Sequence, residues 1–200
     1  MNSKFKKVLV FVLGTLMCGV GIALLNSTPW GNDSVVAFVS GISTTFGIDF
    51  GIMNGVVLLV MVFVAIALDK KQVSIMTFAN PFLLIPSIQF VDSLIPYFNL
   101  SIMSFVLNVL SMFIIALGGA FMVLADYGKS PYDALIFASA GKMKLRYYQA
   151  RWIVDGICLL GGFILGGKIG IGTVIAFVII GNVMEIYMKY LKKTVDGFIK

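Results

Sequence analysis

Asp33 and Asp133 stand in matched surroundings. Pro29 and Trp30 precede the first, Pro131 and Tyr132 the second, and Gly41 and Gly141 follow at the same distance. Gly31 and Asn32 are an insertion in the first copy. A carboxylate so placed has two chemistries open to it. Before a short apolar helix it is an N-cap that accepts hydrogen bonds from orphaned backbone N–H groups. Held at depth in a membrane, an ionised carboxylate is costly enough to require a partner, water or a bound cation. The sequence leaves both open.

The likeness between the two halves continues in the same order. Asn54 answers Asp155, Thr77 answers Thr173, and Gln89 answers Glu185, so twice an amide in the first half faces a carboxylate in the second. Arg151 and Asp155 are four residues apart and share a helix face. Near a membrane edge they make a structural ion pair; deeper, Asp155 is placed to bind a substrate or a coupling proton. The candidate substrate-binding residues are therefore Asp33, Asp133, Asn54, Asp155, Arg151, Glu185, Trp30, Tyr132 and Thr173.

Enzyme chemistry finds no footing. The chain has no histidine, and its two cysteines, Cys18 and Cys158, lie inside apolar segments with no metal-ligand spacing and no disulfide framework. The aspartates of the repeated motif lack the sequence context of an intramembrane protease. The glycines from Gly166 to Thr173 flank Lys168 but lack the spacing of a phosphate-binding loop; they read as a tight hairpin between two helices. No catalytic residue, cofactor or metal is expected.

These side chains must be positioned by membrane helices. Hydrophobic residues make up 60% of the sequence, charged residues 12%, and the mean hydropathy is +1.02. A soluble domain of 200 residues has too much surface for its volume to hide so much apolar area, so the solvent is lipid. The net charge of +6 does not indicate nucleic acid. The basic residues gather at Lys4 to Lys7, Lys142 to Arg151 and Lys189 to Lys193, flanking apolar runs as topology determinants do.

Six segments approach the roughly 20 residues a spanning helix needs: 8–25, 50–68, 73–91, 100–124, 152–166 and 169–188. The first starts like a signal peptide, but its apolar run is too long and no small-residue cleavage site closes it. Pro81, Pro86 and Pro96 should bend or end the third. Segments 34–45 and 134–140 are apolar but short, and are expected to be re-entrant or tilted. The expected fold is an all-α polytopic bundle of about six spans and two short helices. It forms a single transmembrane domain, residues 1–200, of two repeats at about 8–91 and 100–188. If both short segments re-enter, every basic cluster falls inside with both termini, leaving only Lys168 outside. Three spans per copy then turn the second copy upside down. Eight spans in two parallel repeats is the alternative.

Pro131-Tyr132-Asp133-Ala134-Leu135, Gly141, Arg151 with Asp155, and the run from Gly166 to Thr173 resemble the pattern of the YczE/YyaS/YitT family of bacterial integral membrane proteins. The first half carries the weaker Pro-Trp version. The chain departs from the pattern at Gly31-Asn32, at Asp155 where the family has Glu, and at Asn182 where it has Pro. The resemblance implies a bacterial cell membrane and a multi-pass fold. Duplication in a membrane chain is common in transporters, which bind between their repeats. The functional expectation is a small-solute transporter or permease, or else a non-transporting membrane partner or regulatory subunit. Expected partners are the bilayer, a small solute, another membrane protein or a second copy, and no nucleic acid.

Overall fold

The computed structural model describes residues 2–167 and 169–200. They form α1 (Ser3–Asn26), α2 (Ser34–Phe46), α3 (Phe50–Asp69), α4 (Ile75–Leu94), α5 (Ile102–Leu124), α6 (Pro131–Met143), α7 (Tyr147–Ile164) and α8 (Ile171–Ile199), with a 3-10 turn over Lys70–Gln72. There is no strand among the described residues. Lys168, the one lysine expected on the outer side, lies outside them.

Helices are what lipid demands, because each backbone N–H and C=O must find its partner within its own segment. Polar residues punctuate them. Asp33 caps α2 by accepting from the Val36 N–H at 2.8 Å, and Asp49 caps α3 by accepting from the Ile52 N–H at 3.1 Å. Ser101 and Ser130 cap α5 and α6. α4 runs as one helix through Pro81 and Pro86 and stops at Leu94, two residues before Pro96. Among the described residues five helices are long and apolar enough to cross a membrane: α1, α3 with its 3-10 turn, α4, α5 and α8. α7 is shorter, at 18 residues, and begins five residues before the expected span, taking in Arg151.

α1 and α5 pack along their length in opposite directions. Lys7 meets Asp126, Gly14 meets Gly118, and Trp30 meets Ser104. The crossing is at backbone level: a methyl group added at Gly14 would stand 2.6 Å from the Gly118 carbonyl oxygen, and one added at Gly118 would stand 2.6 Å from that of Gly14. α4 runs alongside α1 in the same direction, bringing Asn80 to Thr15 and Ser87 to Gly19. α8 packs on α5, α2 on α7, and α3 on α6.

The two short helices have 13 residues each. At about 1.5 Å per residue each rises about 20 Å, short of a hydrocarbon core of roughly 30 Å. α2 starts with Ser34 beside Asp155, midway along α7, and ends with Thr45 hydrogen-bonded to the carbonyl of Leu165 just beyond α7. α6 also starts beside Asp155, through Tyr132, and ends with three residues between it and α7. The two short helices thus meet at their N-termini in the middle of the molecule and run to opposite ends.

The end where α1 begins also gathers the Lys7–Asp126 ion pair at 2.8 Å, Lys6 over the ring of Phe198, and the bond from Ser74, just after Lys71, to the Tyr127 carbonyl. At the other end the Phe98 N–H donates to the Ser27 carbonyl and the Gly172 N–H to the Trp30 carbonyl, each at 2.8 Å.

Candidate functional site: the meeting point of the short helices

Tyr147, Arg151 and Asp155 recur every four residues on α7 and so line one face of it. All three are buried. Asp155 Oδ1 accepts from the Ser34 hydroxyl of α2 and from the Tyr132 hydroxyl of α6, while Oδ2 accepts from Arg151 Nε at 3.3 Å. One carboxylate therefore ties the starts of both short helices to the middle of α7. Arg151 lays its guanidinium over the Tyr132 ring at 5.0 Å and donates through Nη1 to the Tyr147 oxygen at 3.1 Å. The Tyr147 hydroxyl donates to Asp133 Oδ1 at 2.7 Å, and Ser130 Oγ donates to Asp133 Oδ2 at 2.7 Å. The result is a continuous polar chain from Asp155 to Ser130. Such a network is stable away from water only when each member has a partner, and here each does.

Asp133 is not an N-cap, one of the two roles the sequence left open to it. Ser130 is, and its hydroxyl accepts from the Asp133 N–H at 3.0 Å. Pro131 occupies the first helical position, where a missing N–H removes nothing the helix would have used. Asp133 consequently sits one turn inside α6 with its carboxylate free for Tyr147. The helix ends give the same register: Asp33 and Ser130 are the N-caps of α2 and α6, and Gly47 and Lys144 are their C-caps with positive φ. By that register Asp33 corresponds to Ser130, and Pro29 belongs to the turn before α2 rather than to its first position.

A cavity of about 360 Å³ opens where the short helices meet. Of the expected site residues, Asp33, Asp133, Asn54, Tyr132 and Arg151 line it, and Asp155 stands behind Ser34 and Tyr132. Gln89 and Asp92 of α4 line it toward the end away from the lysines. Trp30, Thr173 and Glu185 are elsewhere. Trp30 donates from its indole N–H to Ser104 at 3.0 Å and rests edge-on against Phe105. Thr173, fully buried, accepts from the Gly170 N–H at the start of α8, and Glu185 accepts from the Tyr148 N–H at 3.3 Å. Trp30 and Glu185 thus hold joints between elements, and Thr173 closes the first turn of α8.

Sequence reasoning missed Ser34, Ser130, Tyr147 and two asparagines, Asn26 and Asn80, that line the cavity. Extending the Arg151–Asp155 face back by one turn finds Tyr147. Nothing local marks the others. Among the described residues no cluster of His, Cys, Asp and Glu is arranged to hold a metal ion.

The model of the Family of unknown function (DUF6198) matches residues 5–189. The chain belongs to this family. It is also similar to a Bacillus subtilis (strain 168) protein described as uncharacterized protein YyaS, at 21% identity over 190 residues that cover 94% of each chain. The resemblance read from Pro131-Tyr132-Asp133 and the Arg151–Asp155 pair is thus to a real relative, matched nearly end to end. No solved structure matches the chain. The helical fold and its long apolar helices make it a membrane protein.

Proposed function

We propose that this DUF6198 chain is a small-solute transporter or permease of the bacterial cell membrane, with its solute site in the cavity between α2 and α6. The observation that carries this reading is the head-to-head meeting of two short helices at a cavity of about 360 Å³. Discontinuous helices whose N-termini face a site near the bilayer midplane are how many repeat transporters bind their cargo. Irregular backbone at that depth is tolerated where it lines a cavity.

The topology proposed with it has six spans, α1, α3, α4, α5, α7 and α8, and two re-entrant helices, in two inverted repeats. The antiparallel α1–α5 pair with its reciprocal glycine contact supports inversion, as does the way α1 holds α4 while α5 holds α8. Lys7, Lys71 and Lys129 lie toward the end that carries both termini, which by the positive-inside rule is the cytoplasmic one. The cavity then faces outward. The protein does no covalent chemistry on this reading, and its side chains bind and release.

The test is a solute-dependent rise in the thermal stability of the purified protein across a metabolite library, followed by counterflow of each hit in proteoliposomes. A ligand of the folded state must stabilise it. Hits that stabilise but show no counterflow make the chain a binding subunit; no hit at all removes the site.

A further inference from the structure

We infer that the solute of this cavity is a single-chain amphiphile that enters sideways from the outer leaflet, through a slot between α3 and α4, an inference that rests on the solute-site reading above. The slot follows from the short helices acting as wedges. α6 packs on α3 and touches α4, and it runs from the middle of the molecule to the end that carries both termini. It therefore fills the space between α3 and α4 over that half alone. Over the other half α3 and α4 do not pack along one another; the further neighbour of α3 is α2, and that of α4 is α1. α2 plays the same part for the other pair, packing on α7 and touching α8. Beyond its start, however, α7 and α8 close on one another. Trp152 stacks on Phe177 at 6.4 Å, Glu185 accepts from the Tyr148 N–H at 3.3 Å, and a methyl group added at Gly181 would meet Arg151 Cδ at 2.9 Å. One helix pair is sealed where the other stands open.

The open slot is where the cavity meets hydrocarbon. Phe50, Asn54 and Leu58 edge it on α3, and Ile85, Ile88 and Gln89 on α4; all six line the cavity. The α4 wall runs from Asn80 to Asp92, about 18 Å at 1.5 Å per residue, so the cavity is elongated in the direction of the acyl chains beside it. A fully polar solute lodged there would turn one flank to hydrocarbon and leave its polar groups on that side unsatisfied, which is costly. An amphiphile turns its chain that way instead. Its head meets two amides near the outer end, because the side chains of Asn54 and Gln89 make no hydrogen bond to a described residue. Asp155 and Glu185, which answer them in the second half of the sequence, are both engaged. Each amide offers donors and an acceptor, a match for an uncharged, hydroxyl- or amide-bearing head.

The experiment places the full chain, carrying Trp30→Phe and Trp152→Phe, in phosphatidylcholine nanodiscs with one reporter tryptophan. Ile85→Trp puts it in the slot, and Phe82→Trp puts it in the groove that α4 forms with α1. The quenchers are a monoglyceride brominated on its chain and bromopropanediol, which stands for its head alone. Quenching at Ile85→Trp should saturate at a low mole fraction of the monoglyceride, while that at Phe82→Trp rises in proportion to it, and bromopropanediol should saturate neither. Asn54→Ala and Gln89→Ala should each raise the half-saturating mole fraction about fivefold with Tm unchanged. Leu58→Trp serves as reporter if Ile85→Trp does not purify. A slot reporter left unquenched by the monoglyceride while Phe82→Trp is quenched would overturn the inference. So would quenching proportional to mole fraction at both positions, or saturation that both alanine variants leave unchanged. Saturation by bromopropanediol alone, or a chainless water-soluble hit from the metabolite library, would overturn the amphiphile and leave the solute site standing. No saturable quencher together with no library hit sinks the site as well.

Discussion

Ser34, the first residue of α2, donates its hydroxyl to Asp155, the buried carboxylate midway along α7. The same carboxylate oxygen receives the Tyr132 hydroxyl from the second residue of α6. Two helix starts far apart in sequence are therefore placed by one side chain, whose other oxygen is paired with Arg151 at 3.3 Å.

Breaking either partner of that ion pair should be severe. Asp155→Asn or Arg151→Ala strands the other charge away from water, which costs about 3–5 kcal/mol. Membrane abundance and thermal stability should both fall, and the double variant should recover part of the loss. A fully abundant Asp155→Asn protein would show that the pair does not hold the fold.

Tyr132→Phe removes one donor to Asp155 while keeping the ring under Arg151. Ser34 and Arg151 still satisfy the carboxylate, so the loss should be about 1 kcal/mol, read as a small fall in Tm. A drop as large as that of Asp155→Asn would mean the tyrosine hydroxyl is indispensable to the network.

Gly14→Ala and Gly118→Ala should each destabilise by about 1–3 kcal/mol, since the added carbon meets opposing backbone that has no room to yield. Gly55→Ala and Gly156→Ala are the controls, because nothing stands within 4 Å of an added methyl there. Those two should be neutral or slightly stabilising, alanine being the better helix former. Equal losses at all four positions would sink the close crossing.

Topology is open to labelling. In a background without Cys18 and Cys158, single cysteines at Lys71 and Lys129 should resist an impermeant thiol reagent in intact cells, while one at Asp49, beyond the other end of α2, should react. Labelling of Lys71→Cys and Lys129→Cys from outside would favour eight spans.

Asp33→Asn keeps the α2 cap and removes only a charge. The variant should fold with an unchanged Tm and lose solute binding. Asp133→Asn differs, because Asp133 is no cap and accepts from Tyr147 and Ser130; it should lower Tm as well as binding. Full uptake in the double Asn variant would leave both aspartates structural.

The helices were legible because lipid imposes one pattern, a long apolar run closed by a polar cap, and Asp33 is where that pattern puts it. Arg151 and Asp155 were legible from spacing alone. Asp133 misled because a proline and an aromatic residue resembled Pro29 and Trp30, while the helix start is decided by whichever side chain reaches the third N–H, and Ser130 does. Trp30, Thr173 and Glu185 looked like site residues by the same likeness; Trp30 and Glu185 are consumed by joints between elements and Thr173 by the first turn of α8. Asn26 and Asn80 were invisible in the sequence, since which amides line the cavity is decided only after the helices have packed.

Past Asn80, α4 has no buried residue, yet Leu84, Ile85, Ile88 and Gln89 form part of the cavity's lining. That stretch has α1 on one side and hydrocarbon tails on the other, so its position is a balance between protein contact and lateral pressure. Bilayer thickness and acyl-chain packing enter that balance directly. The volume offered to a solute is in this sense a property of the membrane as much as of the chain, and affinities should change with the length of the lipid in which they are measured.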